Sequence, residues 1–189
     1  MDPTERFGEI RMVRIATFWM VISCSVALSQ QLPKAYAFST PWMAVVFVSP
    51  DCPISQKYMR RLNELQRTYH QQVTFLAVVP GKVAKADVKK FAKEYRSLLS
   101  FEQDENLEWV QSLQASVTPE VFLVGADRQL VYSGAIDNWF YELGKSRRKV
   151  TESYLENAIR SVMKNEKPLI ARTEAIGCFI QQPAEHPHH

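Results

Sequence analysis

Cys52 stands at a position where a cysteine can act as a nucleophile. It follows Pro50-Asp51 and precedes Pro53, where a long apolar run gives way to apolar residues at helical spacing. The free N–H groups of a helix's first turn and the positive end of its dipole stabilise a thiolate, and proline suits the first helical position because its missing N–H is not needed there. The sequence therefore predicts a reactive thiol. The alternative is a small buried apolar residue, the commonest role of a free cysteine.

Charged residues near Cys52 act on its pKa in both directions. Lys57, Arg60 and Arg61 add positive charge over the next two turns of the predicted helix, which favours the thiolate. The neighbouring Asp51 opposes it. We expect the positive charge to lower the pKa of the thiol.

A second cysteine, Cys178, lies near the C-terminus in the stretch 173–180, directly after Gly177 and among apolar residues that can pack on a domain. A C-terminal cysteine that reaches back to Cys52 can resolve it, by attacking a sulfenic acid or a mixed disulfide. One alternative is a static Cys52–Cys178 bridge, which would close a loop of about 126 residues and contribute roughly 4–5 kcal/mol in the loop-entropy model. Another is an unpaired thiol, and the sequence leaves all three open.

The elements that must position these cysteines alternate between strands and helices. The apolar run 42–49 predicts a strand buried on both faces, and the spacing of apolar residues over 54–70 predicts a helix. We predict further strands at Val73–Val79, Val121–Val124 and Leu130–Ser133, helices near 85–97, 105–114 and 151–162, and a long connection at 135–150. The order βαβ, one or two helices, a ββ hairpin and a final helix predicts an α/β sandwich with a mixed sheet.

The composition limits the class of protein. With 189 residues, 46% hydrophobic and 23% charged, the chain suits one folded domain and excludes disorder or a polytopic membrane protein. A net charge of +3 without a basic stripe argues against nucleic acid as a partner. The sequence lacks a Gly-rich phosphate loop and a Cys-x-x-Cys pair, and the terminal His186, His188 and His189 lie in a polar stub. We therefore expect no cofactor and no metal.

The N-terminal segment has the pattern of an export signal. Residues 15–28 form an uncharged, largely apolar run of 14 residues, too short to span a bilayer as a helix. If translation begins at Met12, a basic Arg14 precedes this run, and small-residue cleavage sites follow it. Cys24 resembles the lipidated cysteine of a bacterial lipoprotein, and a buried N-terminal helix is a further alternative. We expect an exported or membrane-tethered protein, divided into a signal peptide or anchor (1–37), a domain (38–166) and a C-terminal tail (167–189).

Two stretches of the sequence resemble a known family. Ser49-Pro50-Asp51-Cys52-Pro53-Ile54-Ser55 after a buried strand, and Val117-Thr118-Pro119-Glu120-Val121-Phe122 before a hairpin, are similar to the redoxin branch of the thioredoxin fold, which includes peroxiredoxins and membrane-anchored thiol–disulfide proteins. The resemblance implies a three-layer α/β sandwich with a mixed sheet, built as βαβ then ββα, over about 42–165. It also implies that Cys52 is the nucleophile and that Pro119 is cis and packs beside it.

The chain departs from the family's patterns at several positions. Ser55 occupies the place of the second cysteine of thioredoxins, so Cys52 has no partner for a local disulfide. Ser49 resembles the Thr or Ser three residues before the peroxiredoxin cysteine, whereas Val45 replaces that family's proline. The fold would turn Glu120 towards Cys52, where its carboxylate could relay a proton. The alternative for Glu120 is a solvated carboxylate at the start of a strand.

Two functions follow from these observations. In the first, the Cys52 thiolate attacks a small peroxide or the disulfide of a partner protein, and Cys178 resolves the product. In the second, the fold has lost turnover together with the second cysteine, and a surface around Trp139, Phe140 and Tyr141 binds a partner protein. The acidity and reactivity of Cys52 distinguish the two hypotheses.

Overall fold

The computed structural model describes Pro33 and residues 38–181. The predicted signal, including Met12 and Cys24, and the terminal histidines lie outside these residues. The described elements are β1 (Trp42–Phe47), α1 (Pro53–Tyr69), β2 (Val73–Pro80), α2 (Lys85–Glu94), β3 (Ser100–Asp104), α3 (Glu108–Leu113), β4 (Val117–Thr118), β5 (Glu120–Gly125), β6 (Leu130–Gly134), β7 (Phe140–Glu142), β8 (Lys145–Ser146), α4 (Tyr154–Met163) and β9 (Cys178–Phe179). Within this part of the chain, no helix has the length and apolar character needed to cross a membrane.

The central sheet is mixed and five-stranded, in the order β3-β2-β1-β5-β6. β1 pairs in parallel with β2, and β2 with β3, whereas β5 pairs antiparallel with both β1 and β6. Val45 at the middle of β1 lies between Leu76 of β2 and Phe122 of β5. This arrangement confirms the predicted βαβ and ββα units and their mixed sheet.

Both faces of the sheet are covered, which explains the unbroken apolar run of β1. Ala44 and Val46 pack into the core formed with α1, α2 and α4, while Met43 and Val45 face the opposite core beneath α3. All four side chains are fully buried. A strand buried on both faces needs apolar residues at every position rather than at alternate ones. The three-layer sandwich predicted for the chain is therefore confirmed.

Some elements differ from those predicted. The strand β3 was not expected, because its sequence Ser-Phe-Glu-Gln-Asp is mainly polar. It lies at the edge of the sheet and pairs with β2 alone, so its side chains are less buried than those of the central strands. Residues 135–150 contain the short hairpin β7–β8 instead of an irregular connection. The helix expected near 105–114 begins at Glu108, since Asp104 accepts a hydrogen bond from the backbone N–H of Val110 and ends the preceding strand there.

The C-terminal tail packs on the domain through its own backbone. Ser133 of β6 donates its N–H to Ala171, and Thr173 donates its N–H to Ser133, both at 3.0 Å. The Thr173 hydroxyl also accepts the N–H of Ala135 at 2.9 Å. Gly134 permits this approach, since a Cβ there would lie 2.7 Å from the carbonyl carbon of Thr173. The tail is thus fixed at the edge of β6 before it turns towards α1.

Candidate active site at the start of helix α1

Cys52 is the N-cap residue of α1. Its backbone is extended (φ −88°, ψ 112°), and its sulfur accepts a hydrogen bond from the backbone N–H of Ser55 at 3.5 Å. Pro53 opens the helix, as the sequence predicted, and the Cys52 carbonyl accepts the first helical hydrogen bond from Gln56 at 3.0 Å. The side chain is 1% exposed. The sulfur therefore lies where unpaired N–H groups stabilise negative charge.

The loop before β5 approaches Cys52 from the other side. The Thr118–Pro119 peptide bond is cis, and the carbonyl oxygen of Thr118 lies 2.9 Å from the Cys52 sulfur. In its protonated form Cys52 donates to this carbonyl. A thiolate has no proton to give, so this contact favours the thiol and opposes the N–H groups of α1.

Cys178 completes the site from the tail. Its sulfur lies 2.8 Å from that of Cys52, although the two residues are 126 positions apart, and both are free thiols. The strand β9 pairs antiparallel with β4, which places Cys178 opposite Thr118. Gly177 permits this pairing, because a Cβ at that position would lie 2.6 Å from the carbonyl carbon of Thr118 and closer still to its oxygen. The tail thus holds Cys178 directly over Cys52.

The two thiols differ in acidity. Burial raises the pKa of Cys52, but hydrogen bonds from Cys178 and Ser55 to its sulfur outweigh burial and hold the pKa below its ordinary value. Burial, together with the hydrogen bond to Cys52 and the negative charge of its thiolate, raises the pKa of Cys178 to about 11. Cys52 is therefore the thiolate of the pair, and Cys178 remains protonated and donates to it.

The basic residues expected to act on Cys52 have other partners. Arg61 binds Glu156 of α4 at 2.5 Å, Arg60 lies 4.0 Å from Glu64, and the Lys57 ammonium lies over the ring of Phe140. Hydrogen bonds, not these charges, lower the pKa of Cys52. The direction expected from the sequence agrees with this. Of the two causes assigned to it, the first-turn N–H of Ser55 contributes, whereas the positive charges do not.

Of the two serines in the motif, Ser55 contacts the Cys52 sulfur and Ser49 does not. The Ser49 hydroxyl accepts the N–H of Asp51 at 3.3 Å, and it is the Ser49 backbone N–H that reaches the site, donating to the Ser55 hydroxyl at 3.3 Å. Ser55, noted in the sequence only as a missing cysteine, is fully buried and binds the Cys52 sulfur. Its position three residues after an N-cap residue is the signal that could have identified it.

Proteins of similar architecture are found among solved structures. No protein-family model and no curated protein matches the chain. Among solved structures, a hypothetical protein of Sinorhizobium meliloti superposes with a TM-score of 0.67 at 24% identity, over 77% of this chain and 81% of that one. An uncharacterized conserved protein of Geobacillus kaustophilus gives 0.62 at 19% identity, over 78% and 80%. A secreted disulfide oxidoreductase of Mycobacterium tuberculosis gives 0.44 at 16% identity, over 48% and 66%.

The fold is thioredoxin-like. The central sheet, the cysteine at the start of α1 and the Thr118–Pro119 loop beside it have the arrangement that the sequence resemblance implied. In this thioredoxin-like domain the second thiol comes from the C-terminal tail, and Ser55 fills the place in the helix.

Glu120 does not face the cysteine pair. Its carboxylate accepts hydrogen bonds from the backbone N–H groups of Ser116, at 2.8 Å, and Val117, at 3.4 Å. Along β5, Val121 packs into the core that contains Cys52, so the side chains on either side of it point to the other face of the sheet. The expectation that Glu120 is turned towards Cys52 is wrong. The Glu120 carboxylate instead fixes the backbone at Ser116 and Val117.

The aromatic surface expected for a binding module is largely internal. Phe140 is buried, and Trp139 packs edge-on against Tyr58 with 5.6 Å between ring centroids. Only Tyr141 of the three is exposed, at 50%. It lines a cavity of about 800 Å³ with the exposed Leu143 of the β7–β8 hairpin. Trp139 and Phe140 therefore stabilise the core beside α1, and the binding surface proposed from the sequence is reduced to one of its residues.

Among the described residues, no cluster of three or more His, Cys, Asp or Glu side chains could hold a metal ion. The groups at the site are the sulfurs of Cys52 and Cys178, the side chain and N–H of Ser55, and the carbonyl oxygen of Thr118. Such a set is suited to thiol chemistry, in which the reacting atoms belong to the protein itself.

Proposed function

We propose that this protein is a thiol–disulfide oxidoreductase in which Cys52 is the nucleophile and Cys178 is the resolving thiol. The observation that carries the proposal is the 2.8 Å separation of two thiols of unequal acidity. A disulfide bond measures about 2.05 Å between sulfurs, so closing this pair requires a movement of about 0.8 Å. An accessible proton donor next to a thiolate is also what a two-thiol exchange site needs.

The first step is attack on an external disulfide. The Cys52 thiolate displaces one thiolate of the substrate and forms a mixed disulfide with the other half. Because Cys52 is 1% exposed beneath the tail, Cys178 must move aside for the substrate sulfur to reach it. The two-residue pairing of β4 with β9, the bond from Ile180 N–H to the Ser116 carbonyl and the bond from the Thr118 hydroxyl to the Cys178 carbonyl hold that end of the tail.

The second step is resolution by Cys178. Formation of the mixed disulfide removes the negative charge of Cys52, which is one of the causes that raise the pKa of Cys178. Cys178 then loses its proton to solvent more readily, attacks the Cys52 sulfur and releases the second substrate thiolate. The substrate gains two electrons and becomes two thiols, and the protein loses two electrons and gains a Cys52–Cys178 disulfide.

The contacts of Cys52 favour a disulfide over a peroxide as the substrate. Its sulfur is held by Ser55, Thr118 and Cys178, and Arg61 of the same helix is bound to Glu156. Peroxide reduction must stabilise a hydroxide leaving group, for which a positive charge beside the sulfur is useful. Thiolate leaving groups need less help, and a partner protein with a disulfide fits this site better.

We place the reaction outside the cytoplasm, because the apolar run 15–28 after Arg14 has the pattern of an export signal. An oxidising compartment keeps such cysteine pairs in exchange with partner disulfides. Expression in bacteria from Met12, followed by fractionation, should give a protein outside the inner membrane. Retention of an unprocessed chain in the cytoplasm would contradict this location.

The experiment that tests the reaction is oxidation of the reduced protein by oxidised glutathione, with acid quenching and peptide mapping. We expect a peptide linked through Cys52 and Cys178. Cys178→Ser should stop with glutathione bound to Cys52, and Cys52→Ser should not react at the first step.

Three outcomes would change the proposal. Turnover of Cys178→Ser at the parent rate with the same reductant would make Cys178 structural. A faster reaction with one equivalent of hydrogen peroxide than with disulfide would make peroxide the substrate. Failure with both oxidants, together with an ordinary pKa for Cys52, would leave the binding-module hypothesis.

A further inference from the structure

Ser55 carries a buried hydroxyl in the first turn of α1, next to Cys52. Ser55 is fully buried, so its hydroxyl must find partners inside the protein. Its oxygen accepts the Ser49 backbone N–H at 3.3 Å, which leaves the hydroxyl proton to be donated elsewhere. The backbone N–H of the same residue points to the Cys52 sulfur at 3.5 Å.

We propose that the Ser55 hydroxyl donates its proton to the Cys52 sulfur and stabilises the thiolate, so that Ser55 is a catalytic residue and not an inert replacement for a cysteine. This inference rests on the function proposed above. The loop before α1 orients the Ser55 hydroxyl. The Ser49 N–H donates to the hydroxyl oxygen, so the hydroxyl hydrogen points away from that loop. The hydroxyl is among the groups whose hydrogen bonds lower the pKa of Cys52.

The chemistry of exchange gives this bond a role in both directions. When Cys52 attacks a substrate disulfide, the bond increases the fraction of nucleophilic thiolate near neutral pH. When an incoming thiolate opens a bond to Cys52, the sulfur leaves with its negative charge already solvated by Ser55. A cysteine at this position would compete with Cys178 for Cys52, whereas serine supports the thiolate and leaves Cys178 as the partner.

The test is the rate of iodoacetamide alkylation of Cys52 against pH in the reduced full chain, read from the Cys52 peptide alone. Ser55→Ala should slow alkylation about tenfold at pH values below the midpoint, as expected for loss of one hydrogen bond to a charged group. The midpoint should move to higher pH, and the rate at high pH should stay within about twofold of the parent. A variant that loosens the tail would expose Cys52 and raise the rate at high pH as well, so a parental rate at high pH separates loss of the Ser55 hydroxyl from movement of the tail.

Matched variants keep the proposal falsifiable. In Ser55→Thr and Ser55→Val the new side chains have nearly the same shape, but only threonine has a hydroxyl. The pH profile of Ser55→Thr should therefore lie close to the parent, and that of Ser55→Val close to Ser55→Ala. Thr68→Ala removes an exposed hydroxyl of the same helix that donates to the Glu64 carbonyl, so its midpoint should be unchanged. Equal midpoints for the threonine and valine variants would overturn the role of Ser55. Because alkylation needs no disulfide substrate, this result is independent of whether the protein exchanges disulfides.

Discussion

Substitution of Gly177 by alanine should separate the two sulfurs without touching either cysteine. The new Cβ would lie 2.6 Å from the Thr118 carbonyl carbon, a backbone atom that cannot rotate away. Carbon atoms in contact prefer about 3.5 Å or more, so β9 must move by about 1 Å from β4. The sulfur–sulfur distance would then rise from its present 2.8 Å. Misplacement of reacting groups by about 1 Å can cost about 100-fold in rate.

We therefore expect Gly177→Ala to slow closure of the Cys52–Cys178 disulfide by about 10- to 100-fold. The assay is rapid acid quenching after addition of excess oxidised glutathione, which separates the first attack from resolution. Glutathione bound to Cys52 should accumulate in the variant and remain transient in the parent. The first step should change less than closure, because a displaced tail uncovers Cys52 and at the same time weakens the hydrogen bond from Cys178 to its sulfur.

The control is Gly144→Ala. Unlike Gly177, Gly144 has a positive φ, of 77°, so alanine strains the β7–β8 turn, but a Cβ there meets nothing within 4 Å and the substitution should not move the tail. Its closure rate should match the parent. Parental closure in Gly177→Ala would refute the argument that this close approach sets the position of Cys178.

Three further outcomes are expected. Folding raises the pKa of Cys178 to about 11, so the unfolded chain loses this proton at a lower pH than the folded protein does. The free energy of unfolding of the reduced protein should therefore fall between about pH 9 and 11. Chemical denaturation should show a smaller fall for Cys178→Ser. Glu120→Gln should leave the pH profile of Cys52 alkylation unchanged, and a displaced midpoint would restore the proton-relay hypothesis. Ser55→Cys combined with Cys178→Ser should form a disulfide within the first turn of α1 on oxidation, detected by peptide mapping, and a product with two free thiols would show that the helix cannot accommodate it.

The elements next to the site could be predicted because their signals are local. The apolar run of β1, the break at Pro50-Asp51 and the helical spacing of α1 all lie within about 30 consecutive residues, and they place Cys52 correctly. The side chains and backbone groups that contact Cys52 were harder to predict. Ser55 is local but is recognised only from hydrogen-bond geometry, and the pairing of Thr118 with Cys178 leaves no periodic signal because each strand has two residues.

The errors have a common physical origin, which is the choice among long-range partners. Arg61 was expected to act on Cys52. It lies 3.7 Å from Glu64 of its own helix, and Glu156 of α4, 95 positions later in the chain, binds it at 2.5 Å. Phe140 was expected at the surface, but the hairpin folds it against Tyr58 of α1. Each outcome depends on which elements become neighbours in space, and a single sequence does not contain that information in local form.

The proposed resolving thiol lies on the tail, and this links the redox state of the pair to the position of the tail. In the reduced protein the pairing of β4 with β9 and the hydrogen bond between the two sulfurs hold Cys178 near Cys52, whereas a disulfide would fix it covalently. Closing a loop of this length stabilises the folded state by roughly 4–5 kcal/mol in the loop-entropy model, which by linkage favours the oxidised form of the folded protein. Stabilisation of the Cys52 thiolate by Ser55 and Cys178 acts in the opposite direction, because it lowers the free energy of the reduced form alone. The balance of these two effects, one spread over the whole domain and one confined to a single sulfur, sets how readily this pair gives and takes electrons.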